Sequence, residues 1–215
     1  MTIRAKLYTA LIVAVAGLAL TVGVGIWGMS RLGERFDRVQ QASDAQALAL
    51  QLKYDVTDFN GWQTAYGYDN GRSRVTFLRS VARFRTDLAK AKRELTRAAE
   101  KRTLDEVTAA FTDFMELDRE AFAALQAGDE SRVRELFLGP EITNFSRAAA
   151  AAQTLASYES SRAAAEEMEF KDARRDALRL LIIVSAIASL LVVILLVTAN
   201  DLARSAERAL GEPPA

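Results

Sequence analysis

The stretch LYTALIVAVAGLALTVGVGIWGM, Leu7 to Met29, contains no charged residue, and neither does LLIIVSAIASLLVVILLVTA, Leu180 to Ala199. Each has the length of a helix that crosses a bilayer, for which about 20 apolar residues suffice. Between them lie about 150 residues of mixed polarity, far more than a connecting loop holds. This layout predicts residues 1–6 as a short N-terminus, 7–29 as a first transmembrane helix and 30–179 as a folded domain. Residues 180–199 are then a second transmembrane helix and 200–215 a short tail. The first span also fits a secretory signal, with Arg4 and Lys6 as its basic start. Its apolar run exceeds a usual signal core, and Gly23 and Gly25 make a poor cleavage site, so an uncleaved anchor is the preferred reading.

The 215 residues include neither cysteine nor histidine. Disulfides and thiol chemistry are therefore excluded, as are Ser-His-Asp triads and the commonest metal ligand. No metal, cofactor or catalytic residue is expected. Adjacent carboxylates such as Asp105 with Glu106, or Glu166 with Glu167, diverge on a helix and do not converge on a reacting centre. Lys and Arg total 28, as do Asp and Glu. That balance suits solvated helix faces, not the basic stripe of a nucleic-acid binder. Charge leaves orientation open. Arg4, Lys6, Arg204 and Arg208 lie outside the spans, but Arg31, Arg35 and Arg38, with Lys171, Arg174, Arg175 and Arg179, make the inner flanks at least as basic. Loops this long translocate largely regardless of charge.

Apolar spacing divides the middle into four helical segments. The first continues from the span to about Asp69 through Leu48, Leu52, Val56, Phe59 and Tyr66, and Asn70-Gly71 ends it. Ser73 is placed to cap the second, whose Phe77, Val81, Phe84, Leu88, Ala91, Leu95 and Ala98 form a heptad seam. Thr103 and Glu106 read as a capping box for the third, which repeats the seam as Leu104, Val107, Phe111, Phe114, Asp118, Ala121 and Leu125. A short helical piece from about Glu130 to Phe137 follows Gly128-Asp129. Gly139-Pro140 then breaks the chain and opens the fourth segment, in which Ala148 to Ala152 permit close helix approach. The lengths predict an all-α protein: an antiparallel up-down-up-down four-helix bundle continuous with the two transmembrane helices.

Three stretches, DFNGWQTAYGYDNG (Asp58 to Gly71), FTDFMELD (Phe111 to Asp118) and LGPEITNF (Leu138 to Phe145), together with the flanking spans, resemble the four-helix-bundle sensor region of bacterial methyl-accepting chemotaxis proteins, particularly actinobacterial ones. The resemblance covers about residues 1 to 200. It implies a multi-pass protein of the cytoplasmic membrane with residues 1–6 and 200–215 cytoplasmic and an extracytoplasmic bundle, paired as a homodimer and binding a small molecule or a separate signalling protein. Family members continue into a HAMP linker and a methylated coiled coil. Here Asn200 to Ala215 supplies neither, and Pro213 and Pro214 stop a helix. The expectation is a sensory input module without its output half. The alternative is a non-sensory helical bundle that docks a partner.

Asp118 occupies a seam position that calls for an apolar residue, so a partner is expected. Asp58, Asn60 and Gln63 fall at about its level, with Arg83 and Arg85 opposite. Such a layer either fixes bundle register or receives a ligand. Trp62, Tyr66 and Tyr68 form an aromatic wall or simply core. Gly61 admits a neighbouring helix or a ligand to the backbone. In the spans, Gly17, Thr21 and Gly25, and likewise Ser185 and Ser189, recur four apart and allow close packing, either span to span or subunit to subunit. The flanking basic residues are expected to reach toward lipid headgroups, with Trp27 at the interface.

Overall fold

The computed structural model describes residues 3–211, with the side chains of 3–7, 10, 202, 203 and 205–211 left aside. The expectations resting on Arg4, Lys6, Arg208, Pro213 and Pro214 lie outside what is described. Every regular element among the described residues is helical: the protein is all-α. Helix α1 spans Ile3–Tyr68, α2 Arg74–Glu94, α3 Ala98–Ala127 and α4 Glu130–Leu136; a π-helical turn, Phe137–Glu141, leads into α5, Ile142–Gly211.

The ends of these helices follow from local chemistry. After α1, Asn70 and Gly71 take positive φ (56° and 86°), and the Gly71 N–H closes back onto the Tyr66 carbonyl at 2.8 Å. Ser73 precedes α2 without capping it. Its hydroxyl donates instead to Asp69 Oδ2 at 2.6 Å, which ties the turn together from the α1 side. Helix α3 begins five residues earlier than Thr103: the Arg97 N–H donates to Glu100 Oε2 at 2.8 Å, so Glu100 performs the role assigned to Glu106. Thr103 lies inside the helix and donates to the Ala99 carbonyl. Gly128 (φ 73°) ends α3 in the left-handed conformation, and the Asp129 carboxylate accepts the Arg132 N–H to start α4.

Gly139-Pro140 does not break the chain. Proline lacks an N–H and its ring crowds the carbonyl four residues back. Widening one turn to π geometry absorbs both defects and lets α4 pass into α5.

Two compact units emerge, Arg38–Glu166 and a second formed by Met1–Asp37 with Glu167–Ala215. The first is shorter at each end than the 30–179 interval of the sequence. Its core takes Leu48, Leu52, Val56, Phe59 and Tyr66 from α1, Phe77, Val81, Phe84, Leu88 and Ala91 from α2, Leu95 just after it, Leu104, Val107, Phe111 and Phe114 from α3, and Ala148, Ala152 and Leu155 from α5. Phe59 lies at its centre, with Phe84, Phe111 and Phe114 at ring distances of 5.2, 5.6 and 5.1 Å. Ala98 is exposed and belongs to α3. Paired side chains fix relative direction. Asp55 meets Arg83 while Tyr66 meets Phe77, so α1 and α2 run oppositely. Lys92 meets Asp105 and Arg74 meets Asp118, so α2 and α3 do too. Glu100 pairs with Arg162 and Asp113 with Arg147, which opposes α3 to α5.

In the second unit, α1 and α5 each carry an 18-residue window apolar enough to cross a membrane, and neither window is buried. The Arg31 guanidinium lies over the Trp27 ring at 5.1 Å. The basic flanks are largely paired: Arg35 with Glu169, Lys171 with Glu167, Arg175 with Asp172 and Arg179 with Asp176. Their excess of positive charge is therefore smaller than a count of Arg and Lys suggests. Gly17, Thr21 and Gly25 are partly buried, but a Cβ on either glycine would meet nothing within 4 Å. Ser185 and Ser189 are exposed, and the Ser189 hydroxyl donates to the Ser185 carbonyl. The partly buried face of α5 is Ala177, Val184, Ala188, Leu191 and Leu195 instead. Branched and alanine side chains, not the serines, occupy that face.

Candidate functional site

Asp118 is fully buried on α3, and one of its oxygens, Oδ1, collects three donors. Tyr66 Oη donates at 2.5 Å, Arg74 Nη1 at 2.6 Å and Gln63 Nε2 at 3.2 Å. The Arg74 guanidinium is stacked among three rings, Tyr66, Phe77 and Phe122, at 4.7, 4.7 and 4.5 Å. A guanidinium suits this niche because its charge meets the carboxylate while its planar face lies on aromatic carbon. Burial, then the neighbouring Asp118 carboxylate, holds the Tyr66 phenol far above its ordinary range, so it acts purely as a donor.

The polar layer anticipated from the sequence is thus redistributed. Gln63 joins Asp118. Asp58 and Arg83 do not: Arg83 bridges Asp55 Oδ1 at 3.0 Å and Asp58 Oδ2 at 2.6 Å, nearer the middle of α1. Asp55 is fully buried, and burial, followed by its contact with Asp87, raises its carboxyl, with Arg83 and Gln51 opposing. Arg85 is exposed, with its guanidinium 5.6 Å from the Phe111 ring. The reason is helical phase. Residues 83 and 85 flank the buried Phe84, so neither points along the seam, whereas Arg74 does. The aromatic wall also dissolves: Tyr66 is core, but Trp62 is 38% and Tyr68 88% exposed. Gly61 faces open space and admits no neighbour. The close approach occurs one and a half turns later at Gly67, where an added Cβ would overlap the Phe137 ring.

Beside the Asp118 cluster lies a cavity of about 580 Å³. Asn60, Gln63 and Gly67 of α1 form one wall, and Phe137, Glu141 and Phe145 form another. Glu141 is 2% exposed and neither of its carboxyl oxygens meets a hydrogen-bond donor; Asp118 Oδ2 is likewise without one. Burial, then the negative charge of Asp118, pushes the Glu141 carboxyl up to about 8, with Arg74 and the Gln63 amide opposing. A third cluster joins α3 and α5, where Arg162 Nη1 meets Glu100 Oε1 at 2.8 Å and Glu159 Oε2 at 2.9 Å. Glu159 is raised by burial and then by the adjacent Glu100.

Sequence reasoning missed Arg74, Glu100, Glu141, Glu159 and Arg162, although a signal existed. Extending the four-three alternation past its apolar members reaches every one. Arg74 precedes Phe77 by three, and Glu100 precedes Leu104 by four. On α5 the series 141, 145, 148, 152, 155, 159, 162 is unbroken. Charged residues on a seam were visible wherever the seam was followed to its ends. No family model, curated protein or solved structure matches this chain.

Proposed function

We propose that the chain is a membrane-anchored sensory input module of chemoreceptor type, its two apolar helices crossing the cytoplasmic membrane and its Arg38–Glu166 unit lying outside the cytoplasm. The observation that carries this reading is the placement of a buried polar cluster and cavity on the same helices that hold the apolar stretches. Helix α1 contributes both Gln63 and Tyr66 and the stretch around Leu11 to Met29; α5 contributes Phe145 and the stretch around Leu180 to Ala199. A ligand that favours one arrangement of α5 against α1 shifts the population of that arrangement by its difference in affinity. The exposed Ser185 and Ser189 suit contact with a second copy, which supports a homodimer in lipid.

Cysteine pairs placed in the 7–29 and 180–199 stretches of the full chain, in a native-like bilayer, test the reading. Crosslinking yields change when the cavity is filled if the module signals. Unchanged yields at saturating ligand remove the idea. Protease accessibility in sealed vesicles tests sidedness, and cleavage of the Arg38–Glu166 unit from the cytoplasmic face would contradict it.

A further inference from the structure

We propose that the cavity between α1 and the π-helical turn binds a small organic cation, an amine with an apolar body, whose ammonium pairs with Glu141 while the body lies against Phe137 and Phe145. This deepens the sensory reading and rests on it for its purpose.

Three observations converge. The first is an unmet carboxyl. Glu141 is buried on the cavity wall and neither oxygen accepts a hydrogen bond, the nearby Gln63 amide donating to Asp118 Oδ1 instead; Asp118 Oδ2 has no donor either. An ammonium brings three donors and a charge. The second is charge balance. The groups facing Glu141 are Asp118 from α3, Arg74 from α2, and Tyr66 and Gln63 from α1. Arg74 is committed to Asp118 and enclosed by three rings, so with both carboxylates ionised the cluster carries one uncompensated negative charge. At the outer wall Glu130 and Arg134 of α4 are both exposed and offset one another. The third is the lining. Leu125, Phe137 and Phe145 supply apolar surface, while Asn60 and Gln63 offer amide oxygens. A pocket of several hundred Å³ that combines apolar surface with a few placed polar groups is the usual form of a small-molecule site.

Protonation gives the site a distinctive signature. With its carboxyl pushed up to about 8, empty Glu141 is mostly protonated at neutral pH. Pairing with an ammonium requires the carboxylate, so binding releases close to one proton at pH 7. Affinity then rises about tenfold per pH unit below pH 8.

The test is calorimetric titration of the full chain in nanodiscs with 2-phenylethylamine, 2-phenylethanol and 3-phenylpropionate, which share one apolar body. The amine is expected to bind saturably and about tenfold or more tighter than either analogue. Its apparent enthalpy at pH 7 should differ between buffers of low and high protonation heat by an amount that reports near one released proton. Glu141→Gln should weaken the amine by about tenfold or more and abolish that buffer dependence. Thr64→Trp, on the exposed part of the wall, should weaken it by filling space. Equal affinity for the alcohol, tighter binding of the acid, an unchanged Glu141→Gln protein, or no binding of the amine would each overturn the assignment. Should Glu141→Gln lose its helical circular dichroism, unchanged affinity in Thr64→Trp decides against it. Amine binding without altered crosslinks between the apolar stretches upholds this site and removes the sensory reading.

Discussion

Replacing Arg74 by Met separates the charge of that side chain from its apolar stem. Methionine keeps contact with Tyr66, Phe77 and Phe122 but leaves Asp118, fully buried, without the guanidinium 2.6 Å away. Removing one partner of a buried ion pair typically destabilises by about 3–5 kcal/mol, because the remaining charge is uncompensated. Asp118→Asn alone should cost less, about 1–3 kcal/mol, since an amide oxygen still accepts from Tyr66. The double variant holds neither charge. It should be more stable than Arg74→Met by roughly 2 kcal/mol, a coupling of the size expected for residues in direct contact.

The assay is urea unfolding of the full chain in micelles, carried out in a Trp27→Phe background so that Trp62 is the only tryptophan. In Arg74→Met the Asp118 carboxylate loses its cation, and adding Asp118→Asn removes the charge left behind. A double variant no more stable than Arg74→Met would falsify the view that an uncompensated carboxylate is the source of the damage.

Glu141, Glu159 and Asp55 are all raised in the folded state, so the native protein should lose stability as pH rises above about 4.5; Glu141 alone, raised to about 8, accounts for roughly 3 kcal/mol between pH 5 and pH 8. Urea midpoints across that range check the sign, and a midpoint that climbs with pH would contradict it. Gly61→Ala, in open space on α1, should stabilise by about 0.5–1 kcal/mol, whereas Gly67→Ala should destabilise by about 1–3 kcal/mol because its methyl overlaps the Phe137 ring. Equal effects in thermal unfolding would show that Phe137 is not held where it lies. Phe59→Ala, at a position surrounded by three phenylalanine rings, should cost about 3–5 kcal/mol by the same measurement.

The fold class was legible because the apolar residues repeat at helical spacing, and the turns at Asn70-Gly71 and Gly128 carry residues that tolerate positive φ. One helix start was misplaced, and at another the position was right but the capping bond was not, for one reason. Ser73 and Thr103-Glu106 match capping patterns, but a pattern names a residue that is able to cap, not the partner it chooses. Ser73 has Asp69 within reach, and Glu100 lies one turn closer to the break after Leu95. At Gly139-Pro140 the pair signals a defect in the hydrogen-bond ladder but not its remedy, here a single wider turn. Asp118 and Gln63 were found by following the seam. Arg83 and Arg85 were misassigned by matching height along the bundle while neglecting angle around the helix.

Three clusters built on buried carboxylates punctuate the core, and the way those carboxylates are paired separates structural from functional roles. A cluster needed only to fix helix register is satisfied by one carboxylate and one guanidinium, which leave no net charge behind. Arg83 instead faces Asp55 and Asp58, Arg162 faces Glu100 and Glu159, and Arg74 shares its surroundings with Asp118 and Glu141. In the first two the guanidinium reaches both carboxylates, at 3.0 Å or less in every contact, and Arg97 adds a second cation at 3.6 Å from Glu100. In those clusters every carboxylate thus has a guanidinium partner, although Asp55 Oδ2 and both Glu159 oxygens lie without a hydrogen bond. In the third, Arg74 pairs with Asp118 alone, and Glu141 has a cavity at its side. Burial raises Asp55, Glu159 and Glu141 alike, but of the three Glu141 is the one that pairs with no guanidinium and lies beside a cavity, so register gives no reason for its cost. A bound cation supplies one, because it converts that cost into affinity.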